Sequence, residues 1–386
     1  MRAQRWIFAL VLFLGILTLW VDARWAWGGC QIGFLGMALW RSLRHQWKTP
    51  CAALGPLIAA CGWIALAILT RHSVSPGQSW VSALDWFTFS VVFALAADLF
   101  QTEETRLWIL HAIAAFGMVL AAVSTIQNCT SAGRIFWMFP SGYPDGVMGP
   151  FVNHGQYSAW AELVLPVALY LAVTNTKRRS VWGTAVAVLF GSILAAASRA
   201  GCILAMGELL AGMGWAARRG LAPRERLRIT ALQIGGLVFV ATAVVGYQTL
   251  WQRLSAGGSE ALRADGLRAS IEMVETHPWF GTGLGTWATV YPAFAHLDTG
   301  LYLNQAHDDW AQWAAEGGLP FLGLLLAFAV LCCRRAVPSI FGLGIAAVAL
   351  HAFVDYPMQQ RPMLAAWFFA IAGISAVSRR EPGVIP

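Results

Sequence analysis

Apolar runs long enough to cross a bilayer recur along the whole of this chain, and no other feature restricts its fold so strongly. Crossing about 30 Å of hydrocarbon takes about 20 mostly apolar helical residues. Within hydrocarbon only helices and closed barrels satisfy their own backbone polar groups. Twelve such runs can be drawn, at 6–21, 25–40, 51–70, 80–99, 107–126, 156–174, 181–198, 200–217, 229–248, 318–333, 337–354 and 362–378. The second is short, and the pair within 181–217 reads equally as a re-entrant hairpin. Composition agrees: 58% of the 386 residues are hydrophobic and only 12% are charged, roughly half the charge of a soluble domain. The expected fold class is all-α, a polytopic integral membrane bundle of about 12 transmembrane helices with a large helical loop on one side.

Lysine and arginine positions set the orientation, because they concentrate on the cytoplasmic side. With the N-terminus inside, 18 of the 26 basic residues fall in inside segments, Arg379 and Arg380 among them. Eight fall outside: Arg24, Arg71, Arg134, Arg199, Arg253, Arg263, Arg268 and Arg361. Both termini are therefore expected to be cytoplasmic. The net charge of +7 then reflects topology, so the expected partner is the lipid bilayer and no nucleic acid. Arg2 and Arg5 precede an apolar stretch as in a signal peptide, but the run is long and a bundle follows, so its retention is expected. Seven scattered cysteines without a Cys-x-x-Cys give no disulfide framework and no cysteine metal site.

These spans divide the chain into N-terminal helices (1–126), a first outside loop (127–155), central helices (156–248), a large outside loop (249–317) and C-terminal helices (318–386). The first loop carries Arg134, Trp137, Pro140, Tyr143, Pro144, Asp145, Asn153 and His154 and is too long for a simple turn. Inside loops are short and basic, and no Gly-x-x-x-x-Gly-Lys-Ser/Thr loop occurs, which disfavours an ATP-driven pump.

Candidate chemistry collects outside. Asn304 to Pro320 sets His307, Asp308, Asp309 and Glu316 directly before an apolar run. Asn304 to Ala315 reads as a helix with Asn304 as N-cap, which puts His307 in the first turn. The helix dipole there disfavours imidazolium and keeps the ring able to accept a proton; a cap or loop hydrogen bond explains this histidine equally well. Asp308 and Asp309 suit either a metal or the dipole of a first turn. Ser259 to Thr276 reads as another helix, with Leu267, Ile271 and Val274 as its apolar stripe. Its basic groups, Arg263 and Arg268, face either solvent or a ligand. His277-Pro278 ends it, and Gly281-Thr-Gly-Leu-Gly285 follows as a turn bringing backbone close to some neighbour.

Arg199, in Ser198-Arg-Ala-Gly201, lies between two apolar runs, where arginine is costly unless it snorkels, is paired or serves a ligand. Asp85, Glu162 and Glu208 fall within spans, each open to an ion pair, a proton relay or an interhelical hydrogen bond. His351 and Asp355, four apart, share one helix face.

Taken in order, Ser198-Arg199-Ala-Gly, the arginine helix leading into His277-Pro-Trp-Phe-Gly-Thr-Gly-Leu-Gly285, Ala306-His307-Asp-Asp-Trp…Glu316-Gly-Gly-Leu-Pro320 and His351-Ala-Phe-Val-Asp355 resemble the bacterial O-antigen ligase and polymerase superfamily. The resemblance implies a glycosyltransferase of the bacterial inner membrane. Its donor would be a glycan linked to undecaprenyl diphosphate, and its acceptor a glycan, lipid A core or protein at the periplasmic face. By position it assigns diphosphate binding to Arg199 and Arg268 and activation of the acceptor to His307. Arg263, Asp308, His351 and Asp355 are supporting candidates, with no cofactor and no metal. One departure is Asp308, where the family usually has asparagine. The arginines' fixed forks suit a leaving diphosphate without a metal, and a neutral histidine suits removal of the hydroxyl proton. Trp137, Tyr143, Trp279, Tyr291, Trp310 and Trp313 offer sugar stacking or interfacial anchoring. The rival reading is a transporter or flippase of lipid-linked glycan, which would place its polar groups near the membrane midplane.

Overall fold

The computed structural model describes residues 2–48, 51–143, 146–175, 177–245, 260–297, 300, 303–336, 339–359 and 362–377. Pro144, Asp145, Arg253, Arg361, Arg379 and Arg380, counted above, lie outside them, as does 249–259 at the start of the large loop. In chain order the elements are α1 (Arg2–Leu17), α2 (Arg24–Leu43), α3 (Leu54–Leu69), α4 (Pro76–Leu99), α5 (Glu103–Thr130), the strands β1 (Arg134–Ile135) and β2 (Phe139–Pro140), α6 (His154–Thr174), α7 (Arg179–Ala196), α8 (Arg199–Arg218), α9 (Arg224–Val245), α10 (Glu260–Thr276), α11 (Trp287–Val290), α12 (Asp309–Ala336), α13 (Leu343–His351) and α14 (Pro362–Ala376).

The protein is mostly helical and a multi-pass membrane protein. Among the described residues, α4 to α8 and α12 are long and apolar enough to cross a membrane, while α3, α14 and Ile340–His351 are shorter apolar helices. The 181–217 stretch resolves into two helices, α7 and α8, each long enough to span by itself. Their hinge is Ala197, held at φ 55°, and Ser198, whose hydroxyl accepts the Gly201 N–H at 3.2 Å and caps α8.

α6 is the central helix: nearly all its residues from Gly155 to Val173 are buried. Aromatic rings fill the space around it, with Trp160 edge-on to Trp367 at 5.7 Å and to Phe116 at 6.4 Å. Small residues let neighbours approach. A Cβ on Gly201 of α8 would lie 2.6 Å from Ser158 Cβ, and one on Gly344 of α13 would lie 2.6 Å from the Glu162 carbonyl oxygen. In a membrane, where apolar burial gives helices no reason to associate, such close backbone packing holds a bundle together.

The helices leave the motif-bearing residues at one end. The starts of α6 and α8, the end of α13 and the kink of α12 meet there, while Arg41, Lys48, Arg178 and Arg218 lie at helix ends on the other. α12 is broken at Gly318 (φ 77°, ψ 172°), two residues before Pro320. A Cβ there would sit 2.0 Å from the Trp279 carbonyl oxygen, so only glycine fits. The Gly281–Gly285 turn docks against this kink: the Thr282 and Gly283 N–H groups donate to the Ala315 and Glu316 carbonyls at 3.0 and 2.8 Å. Its backbone also lies against Ser73, Ser79 and Ser82. The close neighbour expected for this turn is thus the protein itself.

Candidate active site

The helix expected from Asn304 begins at Asp309 instead, leaving 303–308 as a loop. The Asp308 carboxylate accepts the Ala311 N–H at 2.9 Å, and its carbonyl accepts the Gln312 N–H at 3.0 Å, so it is the N-cap. The Ala306 N–H turns back to Gln312 Oε1 at 3.0 Å, which bends the loop where a longer helix would have run straight. Asparagine caps about as well as aspartate, so the acid at this position keeps a function that an amide also performs. His307 therefore lies before the helix rather than in its first turn, at φ 59°. A non-glycine residue in the left-handed region is strained, and such strain clusters at functional sites.

Around His307 three elements converge. Its Nδ1 is buried without a hydrogen-bond partner among the described residues and lies 3.9 Å from Asp355 Oδ1. Its ring meets Tyr356 edge-on at 4.6 Å. Burial holds the imidazole below its ordinary range, Asp355 pushes it back up, and the charge of Arg263 lowers it further. Burial also raises the Asp308 carboxyl, against the Ala311 and Trp310 N–H groups that lower it. The Asp355 segment is pinned by Asp309, whose N–H donates to the Ala352 carbonyl at 2.8 Å and whose Oδ2 accepts the Met358 N–H at 2.9 Å. Asp308 and Asp309 thus turn to different partners, a helix cap and a neighbouring loop. His351, wholly buried, places Nδ1 2.8 Å from Glu162 Oε1 and Nε2 4.0 Å from Asp355 Oδ2.

A cavity of about 980 Å³ opens beside this cluster, lined by Trp20, Asp22, Tyr143, Asn153, His154, Ala197 and Tyr356 among others. Asn153 caps α6 through the Gly155 and Gln156 N–H groups at 2.7 and 3.2 Å, and donates to the Tyr356 hydroxyl at 3.2 Å. Tyr356 is the shared wall between cavity and imidazole.

The arginines separate. Arg199, at the first position of α8, reaches Glu260 at the start of α10 at 3.4 Å, and Ala197 just before it lines the cavity. Arg263 is exposed, and its charge bears on His307, His351 and Tyr356. Arg268 is five residues on, about 140° around the helix. There it pairs with Glu272 at 3.2 Å, which also meets His296 Nε2 at 2.9 Å.

Of the apolar stripe expected on α10, Val274 is partly buried against the small core of this loop, and the other two members do not pack. Leu267 and Ile271 are exposed, and the buried face is Asp265, Gly266, Ala269, Ser270 and Met273. Polar groups choose that face: Trp287 Nε1 donates to Ser270 Oγ at 2.9 Å and the Tyr291 hydroxyl to Asp265 at 2.5 Å. Gly266 permits contact with the Ala306 carbonyl. Tyr291 and Trp313 are buried and so unavailable to a sugar, whereas Trp137, Tyr143 and Trp279 are exposed. Asp85 is held by Trp27, Gln31 and Arg24. Both Glu208 oxygens are buried without a hydrogen bond among the described residues.

Sequence reading missed Trp20, Asp22, Tyr356 and the tie from Glu162 to His351. Asn153, an amide directly before an apolar helix, carries a cap signal that was there to be read.

Residues 184–328 match a family model described as O-Antigen ligase (Wzy_C). The match supports membership in the O-antigen ligase superfamily. It takes in Arg199, Arg263, Arg268, His307 and Asp308 and stops short of His351 and Asp355. None of the proteins of curated function matched the chain.

Proposed function

We propose that this protein is an inner-membrane glycosyltransferase that ligates or polymerises undecaprenyl-diphosphate-linked glycan at the periplasmic face. The observation that carries the reading is the strained, partly buried imidazole of His307 set against Tyr356, which lines a large cavity, within a segment matched by the O-antigen ligase family. In this reading both termini are cytoplasmic and the motif end of the bundle faces the periplasm.

The acceptor hydroxyl attacks the anomeric carbon of the donor sugar as the bond from that carbon to the phosphate oxygen breaks. With Nδ1 turned to Asp355, the other ring nitrogen takes the hydroxyl proton, and Asp355 steadies the imidazolium that forms. The lipid diphosphate leaves with its electron pair, and arginine side chains hold the charge it gains. Arg199 and Arg268 are the groups assigned by position, and Arg263 is the guanidinium nearest in effect to the base. No metal is required by this scheme. Trp20, Tyr143 and Tyr356 offer ring faces, and Asp22, Asn153 and His154 offer hydrogen bonds, to sugars in the cavity.

Glycan analysis of a deletion strain tests the activity and divides ligase from polymerase. Loss of long surface chains with lipid-linked polymer accumulating identifies a ligase. Single repeat units left on the acceptor identify a polymerase. An unchanged glycan profile overturns the proposal.

A further inference from the structure

Glu162 is the one carboxylate on the central helix α6, fully buried among apolar neighbours. A charge in such a place persists only with a partner. That partner comes from α13: His351 Nδ1 lies 2.8 and 3.1 Å from the two Glu162 oxygens. Gly344, two turns earlier on α13, lets the two helices touch at the Glu162 backbone. The second imidazole nitrogen, Nε2, is buried without a hydrogen bond among the described residues and turned toward Asp355 Oδ2 at 4.0 Å. Asp355 in turn is the carboxylate beside His307. Four titratable groups from α6, α13 and two loops thus form one line, Glu162, His351, Asp355, His307. It runs from the middle of the bundle to the cavity wall.

The site reading uses only its outer two members. The inner two do not line the cavity, and Asp355 is the group that stands between them and the base. We propose that Glu162 and His351 are positioning residues for the base: Glu162 holds His351 as an imidazolium between two carboxylates, and that cation sets the place and the charge of Asp355 beside His307. This deepens the glycosyltransferase reading and rests on it. With Glu162 present, the His351 cation offsets part of the Asp355 charge, so His307 stays neutral and ready to accept a proton. Without that cation, the carboxylate acts on His307 undiluted and favours its protonated form.

Among the described residues, the other charged or titratable groups facing this line are Arg263 on α10, Tyr356 and Asp308 in the flanking loops, Asp309 at the start of α12, and Cys202 and Glu208 on α8. The variants below leave all of them in place.

The test compares wild type, Glu162→Gln, His351→Gln and His307→Ala. Each is purified in detergent, checked for a monodisperse elution profile, and assayed with lipid-diphosphate glycan across pH. His307 is titrated separately by NMR of ring-labelled histidine, its signal assigned by its loss in His307→Ala. We expect the acid limb of kcat and the His307 titration to move up together, by about half a pH unit or more, in both glutamine variants. The KM for donor should stay within about twofold of wild type. Glu162→Gln keeps shape and volume, so it answers the question if His351→Gln does not fold. An unmoved titration in a folded Glu162→Gln protein overturns the proposal, even if kcat falls. If wild type transfers no glycan, the glycosyltransferase reading fails on its own, while the titration still decides whether the pair governs His307.

Discussion

His307 Nδ1 and Asp355 Oδ1 stand 3.9 Å apart, with Tyr356 edge-on to the imidazole at 4.6 Å. That separation is about 1 Å longer than a charge-assisted hydrogen bond, and catalytic contacts are commonly loose before substrate binds. Substrate entering the cavity beside Tyr356 needs only a small shift to close it. Replacing His307 by alanine should therefore lower transfer by about two to four orders of magnitude while leaving membrane insertion and donor binding intact, as followed by membrane fractionation and donor titration.

The pH dependence follows from the direction in which the ring is shifted. Burial holds the folded-state pKa of His307 below its ordinary value of about 6.5. The neutral base thus stays populated somewhat below that pH, and kcat should fall only as pH drops through the lowered value. The unfolded chain binds the proton more readily, so stability contributed by the neutral ring is present above about pH 6.5 and is lost as pH falls. A kcat profile recorded from pH 5 to 8 checks this. An acid limb well above pH 6.5 would show that the base is another group.

The three arginines should part company under substitution. Arg199→Lys and Arg268→Lys are both expected to reduce transfer, since an ammonium does not reproduce the planar fork. Arg263→Gln should act differently, moving the acid limb of the kcat profile upward by removing a positive charge that bears on His307. Glu272→Gln, which removes the ion-pair partner of Arg268, should leave transfer nearly unchanged, because an exposed pair contributes little. Donor KM and kcat for the four variants give the comparison.

Asp308→Asn should be close to silent, in contrast to Asp308→Ala, which removes the cap of α12 and costs about 1 kcal/mol. Thermal unfolding in detergent checks the difference, and transfer rates should follow the same order because the cap adjoins the base.

Gly318→Ala should be far more damaging than alanine at exposed Gly36, where an added Cβ meets nothing. At Gly318 the left-handed backbone and the Trp279 carbonyl both oppose a side chain. Yield of folded protein by fluorescence-detected size exclusion should fall sharply for the first and hold for the second.

Length and composition were enough to read a polytopic helical membrane protein, since spanning helices are written in contiguous apolar runs. The gathering of Arg199, Arg263 and His307 toward one end was likewise visible in the alternation of basic loops. The start of α12 was misread because Asn304 and Asp308 are both good caps, and the choice between them depends on Gln312 folding back to Ala306. The packed face of α10 was misread because Ser270 and Asp265 hydrogen-bond to Trp287 and Tyr291, so polar residues rather than Leu267 and Ile271 turn inward. The link from Glu162 to His351 spans 189 positions and joins two otherwise apolar helices, so no local pattern marks it.

The most direct measurement reconstitutes the purified protein in vesicles with an undecaprenyl-diphosphate-linked glycan and its acceptor, in EDTA, and follows both glycan linkage and lipid diphosphate release. Wild type is expected to join or lengthen glycan with matching release of lipid diphosphate, and His307→Ala to bind donor but form new linkage at least about a hundredfold more slowly. Movement of glycan across the bilayer without any new linkage, or undiminished turnover by His307→Ala, would contradict the glycosyltransferase reading.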